Sequence, residues 1–154
     1  MERRCDGCTK CCEGSLAADI LGHKMYPGKP CFYKINGGCS IYESRPIDPC
    51  VGFKCEWLRD TDIPEHMKPD ISDVILVSRT IGEELCVEMV QAGSSPISKQ
   101  NIEWFHQQYY SGKFPNIYYK PDLLNSGQII AKGSGKFMRL LFSNNSYIDE
   151  YCHV

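Results

Sequence analysis

The chain has 154 residues, a length typical of one compact domain or of one domain with a small appendage. Hydrophobic residues make up 42% and charged residues 23% of it, values near the globular average, so we expect no large disordered part. The formal net charge is −2 and the sequence contains no run of Lys and Arg, so nucleic acid is not an expected partner.

The unusual feature of the composition is its ten cysteines. The first residues read MERRCDGC, which lacks the apolar core of a secretory signal, and no apolar run is long enough to cross a membrane. We therefore expect a cytoplasmic protein with no membrane partner. Structural disulfides are rare in the reducing cytosol, so clustered cysteines in that compartment indicate metal binding or redox chemistry.

The first region, residues 1–58, holds eight of the ten cysteines and most of the turn-forming segments, such as YPGKPCF, NGGCS and RPIDPC. It has few large apolar residues for its length, which predicts loops wrapped around something other than a core of their own. One segment, SLAADILGHKMY, predicts a short helix that ends near Gly22. The side chains expected to face inward from it are Leu16, Ile20 and Leu21.

The second region, residues 59–154, has the pattern of an ordinary α+β sequence. DVILVSRTI and EELCVEMVQA are β-rich runs on either side of Gly82, which predicts a hairpin. NIYYK, GQIIAK and KFMRLLF are further strand candidates. The predicted fold class is α+β, with a loop-dominated, cysteine-rich metal-binding region packed on a small, mainly antiparallel sheet with one main helix. We expect the two regions to form one compact unit.

The segment SSPISKQNIEWFHQQYYSG predicts the main helix. A serine N-cap is expected before Pro96 in the first helical turn, and Gly112 is expected to end the helix. Its predicted inward face consists of Ile102, Phe105 and Tyr109.

The cysteines of the first region begin with the spacing C-x2-C-x2-C-C, and four more follow at wider intervals. A C-x2-C step lets one tight turn direct two thiolates at one metal, and both tetrahedral zinc sites and iron–sulfur clusters use it. Cys5, Cys8 and Cys11 match the first three ligands of a bacterial-ferredoxin-type loop, but CCEG stands where that loop has its fourth cysteine and a proline. Thiolate-only ligation selects soft or borderline metals, so magnesium and calcium are excluded.

Cys11 and Cys12 are adjacent in the sequence. Outside a helix, adjacent side chains point in different directions, so the two thiols are not expected to serve one metal in the same way. Two four-cysteine sites, one cysteine that bridges two metals, and a single cluster with four further cysteines all remain open. Cys86 and Cys152 lie outside the cluster and are not expected to be ligands.

The order of these motifs resembles that of the CxxCxxCC cysteine-cluster family, also called YkgJ-type, whose members are described as zinc- or iron-chelating domains. The matching segments are CDGCTKCCEG, CFYK, GCSIYESRPIDPC and FKCEWL, followed by IPEHMKPDISDVIL, and together they span about residues 5–76. Three residues separate Arg-Pro from Cys50 here, where the family usually has two. The resemblance implies metal binding through Cys5, Cys8, Cys11, Cys12, Cys31, Cys39, Cys50 and Cys55. One branch, linked to flagellin lysine methylation, is associated with iron–sulfur, which favours iron.

Arg45, in the IYESRP motif, has two interpretations of equal weight. Its guanidinium could hydrogen-bond backbone carbonyls or offset the negative charge of a thiolate-bound cluster, while Pro46 stiffens the turn toward the next ligand. Alternatively, Arg45 could pair with Glu43 or Asp48 at the surface.

Other motifs give weaker signals. KGSGKF is not a phosphate-binding loop, because Ile130 and Phe137 occupy positions that such a loop reserves for Gly and for Ser or Thr, and a Gly-Ser-Gly turn between two strands is expected instead. The histidines form no ligand pair, although His23 is a candidate additional ligand. They are His23, His66, His106 and His153. No catalytic residues can be assigned, so the sequence leaves open whether the protein is an enzyme.

We therefore expect a cytoplasmic metal-binding protein that holds a Cys-ligated iron–sulfur cluster, preferentially [4Fe-4S], with a role in redox chemistry or electron transfer toward a protein partner. The alternative is a structural Zn2+ protein, an adaptor or interaction module with one or two closed four-cysteine sites. A third interpretation is metal storage or delivery, in which adjacent cysteines would assist ligand exchange.

Overall fold

A computed structural model describes residues 2–5, 7–122 and 128–143. The protein has short hairpins and helical turns in its first part, followed by a four-stranded sheet and two longer helices. The predicted α+β class, with a small, mainly antiparallel sheet and one main helix, is confirmed.

The cysteine-rich region contains two very short antiparallel hairpins. Their strands are β1 (Ala18–Ile20) with β2 (His23–Met25), and β3 (Lys34–Ile35) with β4 (Gly38–Cys39). Helical turns lie over Lys10–Cys12, Tyr42–Ser44 and Ile47–Val51. Two four-residue helices follow, α1 (Glu56–Arg59) and α2 (Pro69–Ser72). Because these elements are so short, loops make up most of the region.

The predicted helix over SLAADILGHKMY is wrong, because this segment forms the β1–β2 hairpin. Burial alternates along β1, with Ala18 and Ile20 inside and Asp19 outside, which is the period of a strand. At the turn, Leu21 and Gly22 both have positive φ, 52° and 87°, which a right-handed helix cannot contain. Leu21 is consequently 60% exposed and does not face inward.

The sheet has the order β5-β6-β7-β8. Its strands are β5 (Val74–Ile81), β6 (Glu84–Gln91), β7 (Ile117–Tyr119) and β8 (Ile130–Lys132). The β5–β6 and β7–β8 pairs are antiparallel, and β6–β7 is parallel. The predicted β5–β6 hairpin is confirmed, and Gly82 supplies the positive φ that its tight turn requires.

The main helix is α3 (Lys99–Tyr110). Its N-cap is Ser98, whose Oγ accepts a hydrogen bond from the backbone N–H of Asn101 at 3.2 Å, so Pro96 precedes the helix and is not in its first turn. Gly112 follows the C-terminus with φ +82°, as predicted. The predicted inward face is confirmed: Phe105 is fully buried, and Ile102 and Tyr109 pack against the same core.

The second longer helix is α4 (Gly135–Ser143), where KFMRLLF was expected to form a strand. Ser134 begins it, because its Oγ accepts a hydrogen bond from the N–H of Phe137 at 3.0 Å. Phe137 and Leu141, one helical turn apart, are both fully buried. The Gly-Ser-Gly segment therefore joins a strand to a helix, not two strands. Cys152 and His153 lie outside the described residues.

The largest hydrophobic cluster joins the cysteine-rich region to the sheet. Leu16, Cys55 and Trp57 belong to the same buried cluster as side chains of β5 and β6, and Cys11 packs against it. Lys10 adds polar contacts, since its Nζ donates to the carbonyl of Ala92 at 3.1 Å. The cysteine-rich loops thus pack against the sheet.

Candidate metal centre

The eight cysteines of the first region line the walls of two adjoining cavities, of about 410 Å³ and about 120 Å³. They come from distant parts of the chain, including the N-terminal segment, the turn at Lys10–Cys12, the β3–β4 hairpin and the start of α1. The two cavities share walls at Cys11, Cys12, Cys39 and Cys50. The predicted ligands are therefore brought together, although nothing in their arrangement identifies a metal.

Four of the thiols, which we call the first thiol set, lie on the larger cavity next to the sheet. They are Cys5, Cys8, Cys11 and Cys55. A tight turn carries two of them, because the N–H of Cys8 donates to the carbonyl of Cys5 at 3.0 Å across Gly7, which has φ +73°. Burial raises the pKa of the Cys11 thiol, and the negative charges of Cys55, Cys12, Cys8 and Cys5 raise it further.

The other four thiols, which we call the second thiol set, lie around the smaller, apolar cavity. They are Cys12, Cys31, Cys39 and Cys50. The N–H of Cys31 donates to the carbonyl of Cys12 at 2.8 Å, and Cys39 pairs with Lys34 in the β3–β4 hairpin. Burial, together with the charges of Cys31, Cys39 and Cys50, raises the pKa of Cys12 to about 11.

Arg45 lines both cavities. Its guanidinium lies over the ring of Tyr42, 3.8 Å from the centroid, and its charge opposes the burial that raises the pKa of Cys50. In the described part of the chain it forms no ion pair with Glu43 or Asp48. Of the two interpretations of Arg45, the geometry favours the offset of thiolate charge.

Lys68 also lines the larger cavity, and the sequence analysis did not identify it. Its Nζ pairs with Asp70 at 3.2 Å. This hydrogen bond raises the pKa of Lys68, and the charge of Cys8 adds to the effect. The only signal in the sequence was its place in the IPEHMKPD segment, within the span of the family resemblance.

Arg3 links the N-terminal segment to the chain that follows Cys55, and no pattern in the sequence indicated this. Its two terminal nitrogens donate hydrogen bonds to four backbone carbonyls of residues 57–63, and its guanidinium lies 4.4 Å from the ring centroid of Trp57. The accepting carbonyls belong to Trp57 (2.6 Å), Asp60 (2.8 Å), Thr61 (3.1 Å) and Ile63 (2.6 Å). Arg3 therefore connects the segment that carries Cys5 to the segment that follows Cys55, and both cysteines line the larger cavity.

The remaining candidates lie away from the two cavities. His23 stacks on Phe32 with 4.0 Å between ring centroids and lines neither cavity wall. His106 shares a 2.9 Å hydrogen bond with the hydroxyl of Tyr119. Cys86 is buried in a separate cluster on the sheet, where its thiol donates to a backbone carbonyl, as expected of an ordinary buried thiol.

Within residues 2–5, 7–122 and 128–143, no three Cys, His, Asp or Glu side chains are arranged so that they could hold a metal ion. The thiols share cavity walls, so their side chains would have to turn toward a common centre to become ligands. The donor chemistry nonetheless suits soft and borderline metals, because the described residues on the walls of the two cavities include eight thiols and no carboxylate.

Comparisons with known proteins returned no match among family models, curated proteins or solved structures. The resemblance to the CxxCxxCC family therefore depends on the quoted motifs alone. In the part of the chain that the structure describes, no helix has both the length and the apolar character needed to span a membrane.

Proposed function

We propose that this protein is a cytoplasmic iron–sulfur protein whose eight N-terminal cysteines bind the metal, preferentially as [4Fe-4S], and that the chain belongs with the CxxCxxCC family. The observation that carries the proposal is the convergence of all eight thiols on the walls of two adjoining cavities. An ordinary free cysteine packs as a small hydrophobic side chain within a core, as Cys86 does, whereas these eight line cavity walls.

Metal binding at this site would displace protons from its thiols. Burial and mutual repulsion raise the pKa of Cys12 and of Cys55 to about 11, so the thiolates that a metal needs are unfavourable in its absence. A metal centre supplies the positive charge that deprotonates a coordinating thiol. Arg45 and Lys68, on the wall of the larger cavity, offset part of the remaining negative charge.

The spacing of the first cysteines favours iron–sulfur over single zinc ions. Cys5, Cys8 and Cys11 follow the ferredoxin-type pattern, and Gly7 supplies the turn between the first two. When bound, such a cluster accepts and releases single electrons. The proposed role is therefore electron transfer to or from a protein partner, and the solvent-exposed Cys5 lies at the end of the site nearest to the surface.

The test is purification under anaerobic conditions, followed by visible absorption spectroscopy and measurement of iron, acid-labile sulfide and zinc per chain. We expect a brown protein with iron and sulfide in equal amounts, and an absorbance that dithionite bleaches. A Cys86→Ser variant is the matched control, because Cys86 is buried away from the cavities, and it should keep the full iron content. A colourless protein with stoichiometric zinc would contradict the iron–sulfur proposal.

A further inference from the structure

We infer that the eight cysteines form two separate four-thiolate metal centres, one built from the first thiol set and one from the second. This inference depends on the proposed function and deepens it, because the sequence left open one site, two sites or a bridge. Its consequence is a protein that carries two clusters side by side.

The cavities give the first reason for this division. Cys5, Cys8 and Cys55 line only the larger cavity, and Cys31 lines only the smaller one. The two cavities thus have separate outer walls, and they meet along a shared wall that carries Cys11, Cys12, Cys39 and Cys50.

The packing of the cysteines gives a second, independent reason. Cys55 belongs to the main hydrophobic cluster on the sheet, and Cys11 packs against that cluster. Cys31 and Cys50 instead pack against the small cluster of the β1–β2 hairpin. Two members of each set are therefore held by a different hydrophobic cluster.

The adjacent cysteines define the boundary between the centres. Cys11 and Cys12 end a 3₁₀ turn, Lys10–Cys12, in which successive side chains are rotated by about 120°. The two thiols are thus directed apart.

The test compares two double variants, one in each set: Cys8→Ser with Cys55→Ser, and Cys31→Ser with Cys39→Ser. Two [4Fe-4S] clusters predict about eight iron atoms per wild-type chain, and about four in each double variant. Each variant should also keep the electron paramagnetic resonance signal that the other one loses. Native mass spectrometry of the wild type supplies a measurement that does not depend on the folding of any variant.

A wild-type chain that holds a single cluster would overturn the division and leave the proposed function standing. Loss of all iron in both double variants, with the sheet intact by circular dichroism, would also overturn it. Two zinc ions per chain would support the division and contradict the iron–sulfur proposal. A wild-type chain that takes up neither iron nor zinc would refute both.

From a different observation, the hydrogen bonds of Arg3, we infer that Arg3 is a positioning residue for the first centre. Arg3 precedes Cys5 by two residues, and Trp57, whose carbonyl and ring it contacts, follows Cys55 by two. Its four hydrogen bonds to backbone carbonyls close the loop between the two ends of the first thiol set.

Replacement of Arg3 by Ala should reduce the iron content from about eight to about four atoms per chain and remove only the spectroscopic signal of the first centre. Arg3→Lys should give an intermediate loss of iron. The planar guanidinium of arginine can donate to four carbonyls at once, whereas a single lysine ammonium cannot. Arg4→Ala is the matched control, since Arg4 is exposed, and it should keep all the iron. Full iron content and both signals in Arg3→Ala would overturn this role.

Discussion

The cysteine-rich region and the sheet region are stabilised in different ways. The sheet region has two eight-residue strands, and side chains such as Ile75, Phe105 and Leu141 are completely buried. The cysteine-rich region has strands of two or three residues and a small cluster built on Ala18, Ile20 and Met25. Hydrophobic burial is therefore sufficient to account for the first of these regions but not for the second.

The cysteine-rich region and the sheet region also differ in how many apolar side chains they expose. Of the eleven large hydrophobic residues that are exposed in the described part of the chain, seven lie between residues 21 and 51. They are Leu21, Tyr26, Phe32, Ile35, Tyr42, Ile47 and Val51. A region that leaves so much apolar surface in water needs another source of order, and metal ligation by its thiols would supply it.

The largest expected effect is that of metal removal. Treatment with a chelator under reducing conditions should abolish the hydrogen-exchange protection of residues 5–55, because those loops lose the metal that connects them. The β5–β6 hairpin should keep its protection, since its hydrogen bonds join β5 to β6 and its hydrophobic cluster, which also contains Cys55, is made mostly of side chains from outside the cysteine-rich region. Hydrogen exchange measured by mass spectrometry reports on each region separately. Equal loss of protection in both regions would contradict the claim that they are stabilised in different ways.

Truncation of a core side chain should destabilise the sheet region and leave the iron content unchanged. Phe105→Ala removes a completely buried ring from the main cluster and should lower the free energy of unfolding of the sheet region by about 3–5 kcal/mol. Urea denaturation monitored by circular dichroism measures this loss. The iron content of the folded fraction should stay unchanged, and a proportional loss of iron would show that the regions depend on each other.

A smaller effect is expected at the start of α4. Ser134→Ala removes the N-cap hydrogen bond to the N–H of Phe137 and should cost about 1 kcal/mol of stability, with no change in iron content. Ser111→Ala is the matched control, because Ser111 follows the C-terminus of α3 and its hydroxyl is exposed. A cost as large in Ser111→Ala as in Ser134→Ala would contradict the capping role.

The smallest expected effect concerns Arg45. Arg45→Gln removes a positive charge from the walls of both cavities and should make the reduction potential of the bound clusters more negative, with little change in iron content. Arg59→Gln is the control, because Arg59 pairs with Glu56 at the surface and lines neither cavity. Potentiometric titration compares the two, and an unchanged potential in Arg45→Gln would contradict charge compensation.

Local signals explain which elements could be predicted. The β5–β6 hairpin has β-rich runs on either side of a glycine, and α3 has a helical inward face followed by Gly112, so both elements were predicted correctly, although the N-cap of α3 was not. SLAADILGHKMY and KFMRLLF were assigned wrongly because their short apolar runs suit either a helix or a strand. The positive φ of Leu21 and the cap of Ser134 decided between the two, and neither is visible in an apolar pattern.

Some features of the candidate site could likewise be predicted from the sequence, and others could not. The cysteine spacing and the family resemblance identified all eight thiols, which lie together on the cavity walls. Their division into two sets depends on which hydrophobic cluster each loop packs against, and that is a property of the folded chain. Arg3 could not be identified, because its partners are backbone carbonyls more than fifty residues away. Every residue has a backbone carbonyl, so a sequence does not indicate which of them accepts a hydrogen bond.

The most direct test of the central claim is the iron and sulfide content of the anaerobically purified wild-type protein, measured together with its mass under native conditions. We expect two clusters per chain, with about eight iron and about eight sulfide. A chain that carries no iron after reconstitution with iron and sulfide under reducing conditions would contradict it.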